Sequence, residues 1–125
     1  MLRRDAGGAS RRHFNMIVIH KGGLMNTILA RFKVIAGKEA EAEEAMKKQA
    51  ASVESAEPGA LTYIFYRKRK NPTEITVFEI YKDDEAFQAH GGTEHMGAFR
   101  GYFGSVFDPA TVKIDRLERI AGFSR

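Results

Sequence analysis

The 125-residue sequence predicts an α+β domain with a ferredoxin-like β-α-β-β-α-β antiparallel sheet, on three observations. Runs of alternating or β-branched residues recur at 27–35, 60–67 and 75–81. Stretches of helical period occupy 38–57 and much of 83–107. Gly or Pro pairs separate them. That succession is the split βαβ pattern, in which helices cover one face of a four-stranded sheet.

Ile28, Ala30, Phe32 and Val34 alternate with Thr27, Leu29, Arg31 and Lys33, and Ala36-Gly37 ends this first strand. The helix at 38–57 carries Glu39, Glu41, Glu43 and Glu44 early and Lys47 and Lys48 later. This order suits the helix dipole and sets Glu43/Lys47 and Glu44/Lys48 at i, i+4. Its apolar stripe is Ala42, Met46, Ala50 or Gln49, and Val53, small enough for close approach to a sheet, and Pro58-Gly59 stops it. The second strand sets Leu61, Tyr63 and Phe65 against Thr62, Ile64 and Tyr66, and Asn71-Pro72-Thr73 is expected to turn the chain into the third. There Ile75, Val77, Glu79 and Tyr81 oppose Thr76, Phe78 and Ile80. Both faces are mostly apolar, so both need a cover, and Glu79 is a carboxylate among apolar neighbours. Asp83 or Asp84 can cap a short helix through Ala86, Phe87 and His90, which Gly91-Gly92 interrupts. Thr93 can cap a second, whose stripe of Met96, Phe99, Phe103 and Val106 or Phe107 stops before Asp108-Pro109. A last strand is expected at 111–120, with Val112, Ile114 and Ile120 on its better face. No helix remains for the sheet's second face, so a second copy of the chain is expected there, as a homodimer.

Residues 1–24 read as a tail and 25–125 as one domain. The formal charge of +4 belongs to the tail. Five of the 20 basic residues and one of the 16 acidic residues lie before Met25, leaving fifteen of each after it. The domain is therefore neutral, and neither nucleic acid nor membrane is expected as a partner. The basic run Arg67-Lys68-Arg69-Lys70 reads as a solvated hairpin end. Absence of cysteine excludes disulfides, thiolate nucleophiles and Cys-ligated zinc, and fits a reducing, cytoplasmic setting. The tail has three readings. Ser10-Arg11-Arg12-His13-Phe14 has twin-arginine character, but Met16-Ile17-Val18-Ile19 is cut short by His20-Lys21, which counts against export. Ile17 to Ile19 could pack as an arm. Alternatively Met25 is the natural start, with Lys21-Gly22-Gly23 encoded by a purine-rich ribosome-binding sequence.

Glu57-Pro58-Gly59-Ala60-Leu61-Thr62-Tyr63, Asn71-Pro72, Phe78-Glu79-Ile80-Tyr81-Lys82-Asp83, Ala89-His90 and Thr93-Glu94-His95 closely resemble the antibiotic biosynthesis monooxygenase domain family, over about residues 25–123. The resemblance implies a dimeric α+β barrel with a pocket between each subunit's sheet and helices. It implies one of three activities: cofactor-independent oxygenation of quinols or polycyclic phenols with molecular oxygen, haem degradation, or processing of autoinducer-2. In the haem-degrading branch a tryptophan takes the place of His90 and a histidine follows one helix further on. This chain has no Trp, and Arg100 stands downstream. The stretch from Tyr81 to His95 looks more like the quinol and autoinducer branches.

His90 is the candidate general base, since its ordinary pKa is near neutrality and a phenolic proton must leave before an electron-rich ring can react with oxygen. The bland alternative is a helix-end residue bonded to a backbone carbonyl or to Glu79. Glu79 either orients His90 or is a structural carboxylate. Tyr63, Phe87, His95, Met96, Phe99 and Phe103 are candidate substrate contacts, although an aromatic stripe at helical spacing is more often plain core. His90 and His95, five residues apart across Gly91-Gly92, lack the i, i+4 register of a helical metal pair and have no evident third ligand, so no metal is expected. No phosphate loop or dinucleotide fingerprint is present, and no cofactor is expected. The leading reading is a quinol or phenol monooxygenase. The rivals are an oxygen-free isomerase or degrader of a small hydroxy-carbonyl metabolite, and a non-catalytic ligand-binding dimer.

Overall fold

The structure, a computed structural model, describes residues 25–125, and the three readings of the tail lie outside them. The elements are β1 (Asn26–Val34), α1 (Glu39–Ala56), β2 (Ala60–Lys68), β3 (Asn71–Tyr81), α2 (Asp84–Gly91), α3 (Glu94–Arg100) and β4 (Phe107–Leu117). The sheet is antiparallel in the order β2-β3-β1-β4. The expected ferredoxin-like α+β fold is therefore present, with its last helical region split in two.

Period-2 patterning decides which residues meet the helices. Register pairs Ile28 with Glu79, Ala30 with Val77 and Phe32 with Ile75, and Tyr63 with Glu79 on the other side. These side chains share the helix-covered face, where Ile28, Phe32, Ile75, Val77, Glu79 and Tyr81 are buried. Against it α1 lays Ala42, Ala45, Met46, Gln49 and Val53. At one end the core is aromatic: the Phe32 ring meets those of Phe99, Phe103 and Phe107 with centroids 5.0–6.4 Å apart, mostly edge-on.

Three expectations need correction. The hairpin turns at Arg69-Lys70, and Asn71-Pro72-Thr73 already belongs to β3. Pro72 is tolerated because β1 pairs with β3 only from Glu74 onward, so no partner on that side requires its missing N–H. Likewise β4 begins at Phe107 and runs through Pro109, which an edge strand permits. The better face assigned to that strand stays exposed: Val112 is 39% and Ile114 62% accessible, and Ile120 lies beyond the strand.

Candidate active site

The site is assembled at two chain corners. Glu57 closes the C-terminus of α1: its N–H bonds the Val53 carbonyl at 2.9 Å and its own carbonyl accepts from Ala60 N–H at 3.0 Å. Pro58-Gly59 between them turns the chain into β2. A Cβ built on Gly59 would stand 2.7 Å from the Cβ of Ala86 in α2, so glycine is required here for close approach. Asp83 caps α2 by accepting from Ala86 N–H at 2.8 Å, and His90 falls in that helix's last turn. Thr93 forms the second corner: its hydroxyl donates to the His90 carbonyl at 2.8 Å and accepts from Met96 N–H at 3.2 Å, capping α3. His95 enters in the first turn of α3.

The two corners deliver three polar side chains to one point. Nδ1 of His90 is 3.0 and 3.1 Å from the two carboxylate oxygens of Glu57, and Nε2 of His95 also bonds that carboxylate. Side-chain exposure is 6% for His90, 10% for Glu57 and 18% for His95, so the group is enclosed. An ionised carboxylate only accepts, so Nδ1 of His90 carries its hydrogen toward Glu57, and in the neutral ring Nε2 keeps the lone pair. The His90 ring packs against Tyr63 and Tyr81, with centroids 5.4 and 5.3 Å away. The Tyr63 hydroxyl accepts from the Gln49 amide at 3.4 Å, and that amide is 3.4 Å from Sδ of Met96. Burial pushes the Tyr63 phenol well above its usual range, and burial followed by the charge of Glu79 does the same for Tyr81.

The expected Glu79–His90 bond is absent, and the role of Glu79 is corrected accordingly. Oε1 of Glu79 accepts the Tyr81 hydroxyl at 2.7 Å. These two side chains are i, i+2 neighbours on one face of β3, so the phenol is the local partner. Burial raises the Glu79 carboxyl, an effect opposed by the Tyr81 bond and then by His90. The carboxylate on His90 is Glu57, which the sequence reading quoted inside its motif but gave no role.

Of the expected substrate contacts, Tyr63, His95 and Met96 gather near His90 or its partners. Phe87 packs on Tyr81 at 5.3 Å with the Arg116 guanidinium over its ring. Phe99 is buried in the aromatic core and also lines the groove beside His95, while the partly buried Phe103 packs against that core. Two grooves border the triad. One of about 340 Å³ between α1 and α3 is lined by Gln49, Ser52, His95 and Tyr102. Another of about 390 Å³ is lined by Glu57, Lys82, Ala86 and Thr93. A larger hollow among the described residues, about 530 Å³ beside Arg31, Tyr66 and Lys113, shares no residue with the triad.

Residues 25–102 match the family model for antibiotic biosynthesis monooxygenase. The chain belongs to this family. Solved structures of the same fold include a Pseudomonas aeruginosa protein, 27% identical over 80% of this chain and 98% of that one, with a TM-score of 0.72. A Caulobacter crescentus protein described as an antibiotic biosynthesis monooxygenase is 28% identical, covering 89% of this chain and all of its own, at a TM-score of 0.73. A Bacteroides thetaiotaomicron protein at 19% identity and a TM-score of 0.74, covering 82% of this chain and 96% of its own, shares the fold. No curated protein matches the chain. Among the described residues, no helix is long and apolar enough to cross a membrane.

Proposed function

We propose that the chain is a small cytoplasmic monooxygenase that acts on a quinol or polycyclic phenol with molecular oxygen and no bound cofactor. The observation that carries this reading is the enclosed Glu57–His90 pair, with its ring set between Tyr63 and Tyr81. Glu57 fixes the tautomer, so Nε2 of His90 takes the phenolic proton. The resulting electron-rich ring reduces oxygen itself. In an anthrone-type substrate a ring CH₂ becomes C=O, one oxygen atom entering the carbonyl and the other leaving as water, so no external reductant is needed. The Tyr63 and Tyr81 rings packed on His90 limit water beside the imidazole. The name carried by the Caulobacter crescentus relative points the same way.

A homodimer is part of this proposal. On the sheet face away from the helices, Leu29, Phe78 and Ile64 pair across three strands, flanked by Ile80 and Leu117. Ile64 and Leu117 are 41% and 44% exposed, and a second sheet packed on this patch would remove it from water.

Oxygen uptake by the metal-stripped full chain with naphthoquinols and anthrone-like phenols, His90→Ala alongside, tests the reaction. Uptake above the spontaneous rate, reduced about a hundredfold or more in the variant, is expected. Absence of uptake with every member of the panel refutes the oxygenase. A second reading draws on the same geometry. His95 bonds the Glu57 carboxylate and the Gln49 amide bonds the Tyr63 hydroxyl, so further polar groups are linked to the Glu57–His90 pair. This favours a small hydroxy-carbonyl substrate isomerised without oxygen, detectable as deuterium exchange at the carbon beside the carbonyl under nitrogen.

A further inference from the structure

We propose that Glu57, His90 and His95 form a binding site for a single divalent first-row transition-metal ion such as zinc. Their ligand atoms, Nδ1 of His90, Nε2 of His95 and a carboxylate oxygen of Glu57, all lie within 4.8 Å of one another. Bonds of about 2.0–2.2 Å to a tetrahedral ion set neighbouring donors about 3.3–3.6 Å apart. The 3.0 and 3.1 Å separations between His90 and Glu57 lie within a few tenths of an ångström of this spacing, so a small opening of the pair admits the ion. His95 must draw back furthest from the carboxylate, and it is the most exposed of the three.

The donor types select the metal class. Two imidazoles and one carboxylate suit zinc, cobalt, nickel or iron, whereas calcium and magnesium prefer all-oxygen shells. Three ligands leave a coordination position for water or another small ligand. Lys48, Gln49 and Ser52 line one groove that reaches the triad, and Lys82 and Thr93 the other, so an ion has polar routes in.

The site is also held in place. Glu57 is fixed by the α1 terminus and the Pro58-Gly59 turn, and Thr93 ties the end of α2 to the start of α3. Arg100 adds a bond to the Gly91 carbonyl at 3.0 Å across the same corner. The five-residue spacing that rules out a helical metal pair is overcome by this corner, and Glu57 is the third ligand. An ion on Nδ1 of His90 leaves the hydrogen on Nε2, so metal occupancy and the base role of His90 exclude one another.

The test is equilibrium dialysis of the tag-free full chain against zinc and against cobalt, in a His13→Ala/His20→Ala background that removes the other two histidines. One equivalent per chain is expected, with visible d–d bands of a four- or five-coordinate cobalt ion. Affinity should fall at least about a hundredfold in Glu57→Gln and in His95→Asn. His95→Asn replaces the outermost ligand, so its fold, checked by circular dichroism, should survive even where Glu57→Gln does not. No binding, or binding that persists unchanged in a folded His95→Asn chain, overturns the site. None of these readouts needs turnover, so failure of the oxygenase reading and failure of the metal site are separately visible.

Discussion

Replacing Glu57 by glutamine separates the two carboxylates near His90. The carboxylate is 10% exposed and accepts from two imidazole N–H groups, while the amide keeps one oxygen. Loss of one hydrogen bond to a buried charged group costs about 1.5–3 kcal/mol. In a domain of about 100 residues that lowers Tm by on the order of 10 °C. The chemical consequence is larger. The amide can turn an N–H toward Nδ1 of His90, which drives the imidazole hydrogen to Nε2 and removes the lone pair that takes the substrate proton. A lost general base lowers kcat by about 10²–10⁴-fold. The assay is oxygen uptake at saturating quinol below the variant's melting temperature, with the imidazole ¹⁵N shifts of His90 recorded to read its tautomer. A folded Glu57→Gln chain within about threefold of wild-type kcat would refute Glu57 as the orienting residue. So would a loss in Glu79→Gln as large as that in Glu57→Gln.

Three further outcomes follow from named contacts. Gly59→Ala forces a methyl to 2.7 Å from the Cβ of Ala86 and should cost about 1–3 kcal/mol, seen as a lowered thermal midpoint; unchanged melting would show that α2 moves aside freely. Burial raises the Glu79 carboxyl above its ordinary 4.5, so the folded chain holds that proton more tightly and stability falls as pH rises from 4.5 through the folded value. Glu79→Gln removes this ionisation and keeps an oxygen for the Tyr81 hydroxyl, so Tm should rise at neutral pH, with the gain vanishing below about pH 4.5. A gain of equal size at every pH would contradict the assigned cause. Phe78→Lys in the middle of the uncovered sheet face should convert the proposed dimer to monomer in sedimentation velocity, and an unaltered sedimentation coefficient would rule that face out as the interface.

What was legible in the sequence was whatever a residue settles with neighbours a turn or a strand away. The β-branched and aromatic run from Ile75 to Tyr81 identified β3, although with both faces apolar it did not say which one the helices cover, and Asp83 or Asp84 and Thr93 marked the two helix starts that Asp83 and Thr93 cap. Prolines misled where pairing, not propensity, decides. Pro72 and Pro109 read as turn and stop signals, yet each lies in a strand where one side lacks a partner. The aromatic stripe of Phe99 and Phe103 had the right period for either a pocket wall or a core, and packing against Phe32 and Phe107 draws both toward the core, while Phe99 also lines the groove beside His95.

The partner of His90 was the least legible feature, because Glu57 is 33 residues away and no period connects them. Glu79 was the natural candidate from its burial, but a carboxylate with a phenol two residues along the same face is satisfied locally. The useful signal lay elsewhere. Gly59 needs no left-handed backbone; it is glycine because another element, at Ala86, approaches too closely for a side chain. A turn compressed against the next helix presents its neighbouring polar residue to that helix's end, where His90 lies. A Glu-Pro-Gly corner followed by a strand and a histidine-bearing helix end is therefore a testable sign of a carboxylate–imidazole pair. It fails wherever the glycine can be replaced by alanine without cost.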